Sequence, residues 1–335
     1  MATCPSKHFS GCFLVREVNL VELSFALVSE SDIEGRAICA DRPACARTLA
    51  GITQGAHASN MKTVVLPAGE RVPAFGLGTW KLGDPAAHDE ELATLRLGLE
   101  LGVTLIDTAE MYGDGLAEQL IGEAMAGRLD EVFVVTKVYP HNATRKGVPA
   151  ACERSLQRLR TERIDLYLLH WRGSVPLAET MEAFTKLQRE GKIRYYGVSN
   201  LDLADVQELE SLVGGEIQTN QLLYNLVRRG IENDLLPWLR KRHIPVMAYS
   251  PIEQAQLVRN RKLIDFAQRE GMTPAQAALA WLLAKDDVIV IPKTGRADRL
   301  KENLGALDRK LTPTQLAELD RLFPPPSGPQ PLEML

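Results

Sequence analysis

Eight short apolar runs alternating with segments of helical period constrain this chain more than any other feature. The runs cover 74–79, 104–109, 132–138, 164–170, 193–200, 216–221, 245–251 and 288–293, and each is rich in β-branched and bulky residues. Runs that are apolar on both alternating positions read as strands buried on both faces. The segments between them, such as 90–101, 116–128, 148–159, 177–189 and 203–212, carry helical spacing. Strand and helix alternating in this way implies a parallel sheet with helical crossovers, and a twisted eight-strand sheet of that kind closes into a (β/α)8 TIM barrel. An open doubly wound sheet would want a glycine-rich phosphate loop after its first strand. Gly76-Leu77-Gly78-Thr79-Trp80 lacks the third glycine of that fingerprint.

Additions flank the barrel. Thr63-Val64-Val65-Leu66, a turn through Pro67-Ala68-Gly69-Glu70, and Arg71-Val72-Pro73 predict an N-terminal β-hairpin that plugs the bottom of the barrel. Extra C-terminal helices are expected over 273–285, 296–307 and 312–323, the first and last opening on Thr-Pro. Pro324-Pro325-Pro326 then ends regular structure.

Residues 1–60 show weak periodicity and mixed charge, and they have neither a secretory nor a mitochondrial leader pattern. They are expected to be a poorly ordered extension, with a short helical appendage over 18–28 as the alternative. Met61 would be the natural start and 61–335 the catalytic barrel, which intact mass of native material would check. The formal net charge of −4 provides no basic field for nucleic acid, and no apolar run approaches the roughly 20 residues of a membrane span. Four of the five cysteines, Cys4, Cys12, Cys39 and Cys45, precede residue 51, leaving Cys152 alone. Their spacing suggests neither a metal site nor a disulfide scaffold, so a reducing cytoplasm is expected. The expected partner is a small diffusible molecule, and the expected state is a monomer or weak oligomer.

Several runs end in one chemically committed side chain: Asp107 with Tyr112 just beyond, Lys137, His170, and Ser199-Asn200. Polar ends of parallel barrel strands share one rim, where this architecture keeps its active sites. A phenol with an ordinary pKa of about 10 needs help to exchange protons at neutrality, and a nearby cation stabilises its phenolate. Lys137 can be that cation, Asp107 its counter-charge, and His170 a hydrogen-bonding partner for a substrate oxygen. Each has a plainer reading: a capping Asp, a Lys reaching solvent, a satisfied core His. Together on three consecutive strands they point to proton transfer.

With these residues the chain resembles the aldo-keto reductases from Met61 onward. The resemblance is carried by Gly76-Leu77-Gly78-Thr79-Trp80, Leu105-Ile106-Asp107-Thr108-Ala109-Glu110-Met111-Tyr112-Gly113, Ile164-Asp165-Leu166-Tyr167-Leu168-Leu169-His170-Trp171, Gly197-Val198-Ser199-Asn200, Gln221-Leu222-Leu223-Tyr224-Asn225, Ala248-Tyr249-Ser250-Pro251 and Ile291-Pro292-Lys293. It implies Asp107, Tyr112, Lys137 and His170 as the catalytic tetrad and a nicotinamide cofactor lying over the barrel mouth without a Rossmann domain. Ser199, Asn200 and Gln221 would bind the carboxamide, Tyr249 would stack on the ring, and Ser250 with the loop after Pro251 would meet the pyrophosphate. That loop is short, so looser clamping and faster cofactor exchange are expected. Lys293, Thr294, Arg299, Glu302 and Asn303 resemble an adenosine 2′-phosphate site, which makes NADPH the expected cofactor. No metal is implied.

The implied reaction is reduction of a carbonyl to an alcohol, with Tyr112 as proton donor. Trp80 and Trp171 resemble the family's aromatic substrate walls, and the short tail after Phe323 suggests an open site for small aldehydes. The stretches around Glu110, His170-Trp171-Arg172-Gly173 and Asp234-Leu235-Leu236-Pro237-Trp238 look most like bacterial members that reduce methylglyoxal and related 2-oxoaldehydes. Two alternatives stay open. One is a diketogluconate-type reductase using Arg172 or Arg145 for a carboxylate; the other is a nicotinamide-binding regulatory subunit with slow turnover.

Overall fold

The structure is a computed structural model and describes residues 61–213 and 217–335. The expected extension over 1–60, and Glu216 at the start of the sixth predicted strand, lie outside the described residues. β1 (Thr63–Val65) and β2 (Arg71–Pro73) form the antiparallel hairpin, with Val64 opposite Val72. Eight parallel strands follow in sequential order: β3 (Leu77–Gly78), β4 (Leu105–Asp107), β5 (Phe133–Val138), β6 (Ile164–Leu169), β7 (Ile193–Ser199), β8 (Asn220–Leu223), β9 (Val246–Tyr249) and β10 (Val288–Val290). Successive strands are bridged in turn by α1 (His88–Glu100), α2 (Leu116–Ala124), α3 (Gly147–Leu159), α4 (Leu177–Arg189), α5 (Leu203–Val213) and α6 (Leu235–Lys241). The crossover from β9 to β10 uses both α7 (Arg261–Arg269) and α8 (Pro274–Leu283), and α9 (Ala297–Leu304) and α10 (Pro313–Leu322) come last.

The first strand joins the last. Gly76 donates its backbone N–H to Val290 O at 2.9 Å, Val290 donates to Ala74 O at 2.8 Å, and Gly78 donates to Pro292 O at 3.1 Å. This seam is a set of single bridges rather than the six-residue strand expected over 74–79, because Pro292 has no N–H to return. A Cβ added at Gly78 would lie 2.8 Å from Ile291 O, and one at Gly76 would lie 2.9 Å from Leu105 O. The Gly-Leu-Gly motif therefore serves close strand approach, which explains why it is not a phosphate loop.

Alternation along each strand places the site. Leu105, Phe133, Val135, Leu166, Leu168, Met247 and Ile289 face inward and pack with Val64, Leu66, Val72 and Ala74 of the hairpin end. The hairpin thus fills one end of the barrel, as expected. Ile106, Val134, Tyr167, Val198, Leu222 and Val246 face outward and pack in the helical layer. Two positions beyond inward Leu105, Val135, Leu168 and Met247 come Asp107, Lys137, His170 and Tyr249, on the same inner face at the opposite end. Both Thr-Pro starts form capping boxes, Thr273 with Gln276 on α8 and Thr312 with Gln315 on α10. No helix among the described residues is long and apolar enough to cross a membrane.

Candidate active site

Lys137 is the hub of the rim, and its side chain is fully buried. Its Nζ donates to Asp107 Oδ2 at 2.9 Å, to the Thr108 carbonyl at 2.7 Å and to the Tyr112 hydroxyl at 3.2 Å. These three acceptors match the three donors of an ammonium. Gln221 Nε2 donates to the other Asp107 oxygen at 2.7 Å, so the carboxylate is held from two strands. Burial pushes Asp107 up and Lys137 down from their ordinary values, while their mutual attraction opposes both shifts. Behind the lysine strand, buried Glu118 accepts from Thr136 Oγ1 at 2.6 Å and from Arg158 Nε at 2.7 Å, adding a second anionic support.

Tyr112 comes from the loop after β4, where Gly113, Asp114 and Gly115 all take positive φ and turn the chain back toward α2. Burial first, and then the Asp107 charge, hold its phenol well above the ordinary value. The sequence leads one to expect a cation, Lys137 anchored by Asp107, to lower this value; desolvation is the larger effect and runs the other way. The phenol rests protonated, the form a proton donor requires. Lys137 Nζ lies 3.2 Å from the hydroxyl oxygen, within reach for an ammonium to stabilise a phenolate.

His170 packs edge-on to Tyr112 with ring centroids 5.8 Å apart. Burial, followed by Lys137, lowers its pKa to about 2, so the imidazole is neutral. Its Nδ1 is buried without a hydrogen-bond partner. An orphaned buried N–H is rarer than an orphaned acceptor, so the single ring proton belongs on Nε2, available to the cavity.

Around these groups lies a cavity of about 530 Å³ lined mostly by apolar atoms. Asp107, Tyr112, His170, Ser199, Asn200, Gln221, Tyr249, Ser250, Lys293, Trp80 and Trp171 all line it. Lys137 sits directly behind Asp107 and Tyr112. Asn200 and Ser250 follow β7 and β9 with φ of +56° and +47°, left-handed conformations concentrated at this rim. Tyr249 donates its hydroxyl to Asn200 Oδ1 at 3.0 Å, and Asn200 Nδ2 donates to Ser199 Oγ at 3.0 Å. Trp171 is wedged edge-on between His170 and Tyr139, with centroid distances of 4.8 and 5.0 Å.

Not every expected residue joins the cavity wall. Thr294, Arg299, Glu302 and Asn303 lie off it at the start of α9 and along it. Arg299 donates to Glu302 at 2.8 Å, and Thr294 caps its own turn by accepting from Arg296 N at 3.1 Å. Lys293 is the member of that group that reaches the cavity. One expectation about the rim is corrected: the tail after Phe323 does reach the pocket, where Met334 and Leu335 line the cavity. The short loop after Pro251 is anchored from within the protein, since buried Glu253 accepts from Asn225 and Arg228 at 2.8 Å each. Neither contact had a local sequence signal; Arg228 and Glu253 meet only through the fold.

A closed barrel with a buried ammonium, carboxylate and imidazole at the strand ends and a half-buried phenol just beyond, beside a mostly apolar hollow, defines an oxidoreductase of the barrel type. The sequence model of the Aldo/keto reductase family matches residues 74–323, and the chain belongs to that family. It is 48% identical over 271 residues to methylglyoxal reductase YeaE of Escherichia coli strain K12, covering 79% of this chain and 95% of that one. It is 32% identical over 280 residues to glyoxal reductase of Bacillus subtilis strain 168, covering 82% of this chain and 97% of that one. The crystal structure of a Klebsiella pneumoniae aldo-keto reductase in complex with NADPH superposes with a TM-score of 0.79 at 48% identity, covering 82% of this chain and 99% of that one. The protein is an NADP-dependent oxidoreductase that reduces carbonyl compounds.

The rim fits such a cofactor. Tyr249, Ser199, Asn200, Gln221, Ser250 and Lys293 present a phenol ring, amides, hydroxyls and an ammonium along the cavity wall, a set of groups chemically compatible with an aromatic carboxamide and phosphates.

Proposed function

We propose that this protein reduces small 2-oxoaldehydes such as methylglyoxal, and aliphatic and aromatic aldehydes, with Tyr112 as the general acid. NADPH, when bound, supplies the hydride to the carbonyl carbon. His170 Nε2–H donates to the carbonyl oxygen and holds it near the Tyr112 hydroxyl. As negative charge grows on that oxygen, Tyr112 Oη gives up its proton to it, forming the alcohol. The Lys137 ammonium stabilises the phenolate left behind, and Asp107 keeps the ammonium charged and aimed. Trp80 and Trp171 bound the substrate end and exclude water. Lys293 takes the 2′-phosphate side of the cofactor, with Thr294, Arg299, Glu302 and Asn303 near the same helix start.

The observation that carries this reading is the single Lys137 Nζ that meets Asp107, Thr108 O and Tyr112 at once. The similarity to methylglyoxal and glyoxal reductases supports the substrate class. A carboxylate-bearing substrate is less well supported. Arg172 is engaged by Asp205 at 2.5 Å and Glu208 at 2.6 Å, and Arg145 by Glu182 at 2.6 Å. The proposed setting is a reducing cytoplasm with small diffusible partners, in which the buried Cys152 thiol, pushed up to about 12, stays unreactive. NADPH oxidation by the purified protein against methylglyoxal, aromatic aldehydes, aldoses and keto acids tests the proposal. Turnover of the 2-oxoaldehyde well above that of the keto acids is expected, and the reverse order would overturn it.

A further inference from the structure

We infer that Arg228 couples cofactor binding to carbonyl binding by tying the segment beside the cofactor phosphates to the chain's final residues. The inference rests on the reading of the cavity given under Proposed function. Residues 250–255 follow β9 along the cavity wall, and Ser250, Glu253, Gln254 and Ala255 have φ of +47°, +50°, +48° and +66°. Left-handed conformations in non-glycine residues are unfavourable one by one, so a run of them persists only where surrounding contacts enforce it.

The restraint is Glu253. Its carboxylate is buried and accepts from Asn225 Nδ2 at 2.8 Å and from Arg228 Nε at 2.8 Å. Asn225 Nδ2 also donates to Ser250 O at 2.9 Å, closing the segment on itself. The same guanidinium turns its Nη1 outward and donates to Glu333 at 2.6 Å. Glu333 directly precedes Met334 and Leu335, which line the cavity, and the Leu335 backbone reaches the Tyr249 phenol.

One planar guanidinium therefore fixes two carboxylates: one on the segment proposed to flank the phosphate side, the other on the tail whose last residues line the cavity. Its donors diverge at set angles, so moving either carboxylate reorients the ion and disturbs the other. Cofactor that orders 250–255 thereby orders the tail against the substrate. Arg228 touches neither ligand and is a positioning residue.

The test uses the full chain and three variants, Glu333→Gln, Arg228→Gln and the double variant. NADPH affinity is read from quenching of tryptophan fluorescence, and methylglyoxal KM and kcat are read at saturating NADPH. Glu333→Gln, an exposed change compatible with folding, is expected to raise the carbonyl KM by about two- to fivefold and the NADPH Kd in the same direction. Arg228→Gln is expected to raise both by about tenfold, since it strips a buried carboxylate of its charged donor. In both, kcat stays within about twofold, and the double variant matches Arg228→Gln alone, because both substitutions cut one link. An unchanged NADPH Kd in Glu333→Gln, or effects that multiply in the double variant, would overturn the coupling. A wild-type protein whose fluorescence NADPH does not quench would overturn the reading of the site itself, a result visible before any variant is compared.

Discussion

Lys137 Nζ lies 3.2 Å from the Tyr112 hydroxyl while the same ammonium holds Asp107 at 2.9 Å, and Lys137 and Asp107 are essentially inaccessible to water. The lysine is thus a structural counter-ion and, in the proposed reaction, a reserve of positive charge for the phenolate. Removing it as Lys137→Met leaves the Asp107 charge buried with the Gln221 amide but no counter-ion and should destabilise the fold by about 3–5 kcal/mol while abolishing most turnover. Adding Asp107→Asn should restore much of the stability and none of the activity. Urea unfolding alongside steady-state rates checks both halves.

His170 links the site to acid stability. Its folded pKa of about 2 lies below the ordinary 6.5, so between those values the unfolded chain binds the proton and the folded chain does not. The stabilisation from keeping this ring neutral is fully present above about pH 6.5 and is lost as pH falls toward 2. Relative to a His170→Asn variant, which cannot titrate there, wild-type stability should fall by about 2 kcal/mol between pH 7 and pH 5. Denaturant midpoints at the two values measure it; parallel pH profiles would contradict the neutral, buried imidazole.

Lys293 is the cation of the expected phosphate group that faces the cavity, and burial lowers its pKa from the ordinary lysine value. Supplying a 2′-phosphate as counter-charge should therefore be felt strongly. Lys293→Ala is expected to weaken NADPH binding by about tenfold and NADH binding far less. Arg299→Ala, already paired with Glu302, should change the ratio less. Fluorescence titration with the two cofactors separates these outcomes.

The arginines considered for carboxylate recognition are already neutralised. Arg172→Ala should leave the kcat/KM ratio of keto acids to methylglyoxal within about threefold, since its ion pairs with Asp205 and Glu208 are partly exposed. A selective loss of keto-acid turnover would instead assign it to the pocket.

Much of this site was legible in the sequence because strand parity is a rigid rule. Once Leu105, Val135 and Leu168 are read as inward, Asp107, Lys137 and His170 must share the inner face two positions on. The Thr-Pro starts of α8 and α10 were legible for a similarly local reason, each cap lying three residues from its partner. The tail and the 250–255 segment were not legible, because their anchors are tertiary: Arg228 and Glu333 are separated by 105 residues. Nor was the elevated Tyr112 phenol, which is raised first by removal of water in the fold and then by the Asp107 charge. The group after Lys293 was legible as a motif, but its pairing was not: the turn into α9 places Arg299 beside Glu302 and off the cavity wall.

The central claim is that Tyr112 delivers the proton, and single-turnover reduction of methylglyoxal by NADPH-saturated Tyr112→Phe tests it most directly. The variant keeps the ring against His170 and removes only the hydroxyl. NADPH affinity should stay within about twofold while the reduction rate drops by about 10²- to 10⁴-fold. A rate near that of the wild type, with NADPH still bound, would contradict the account.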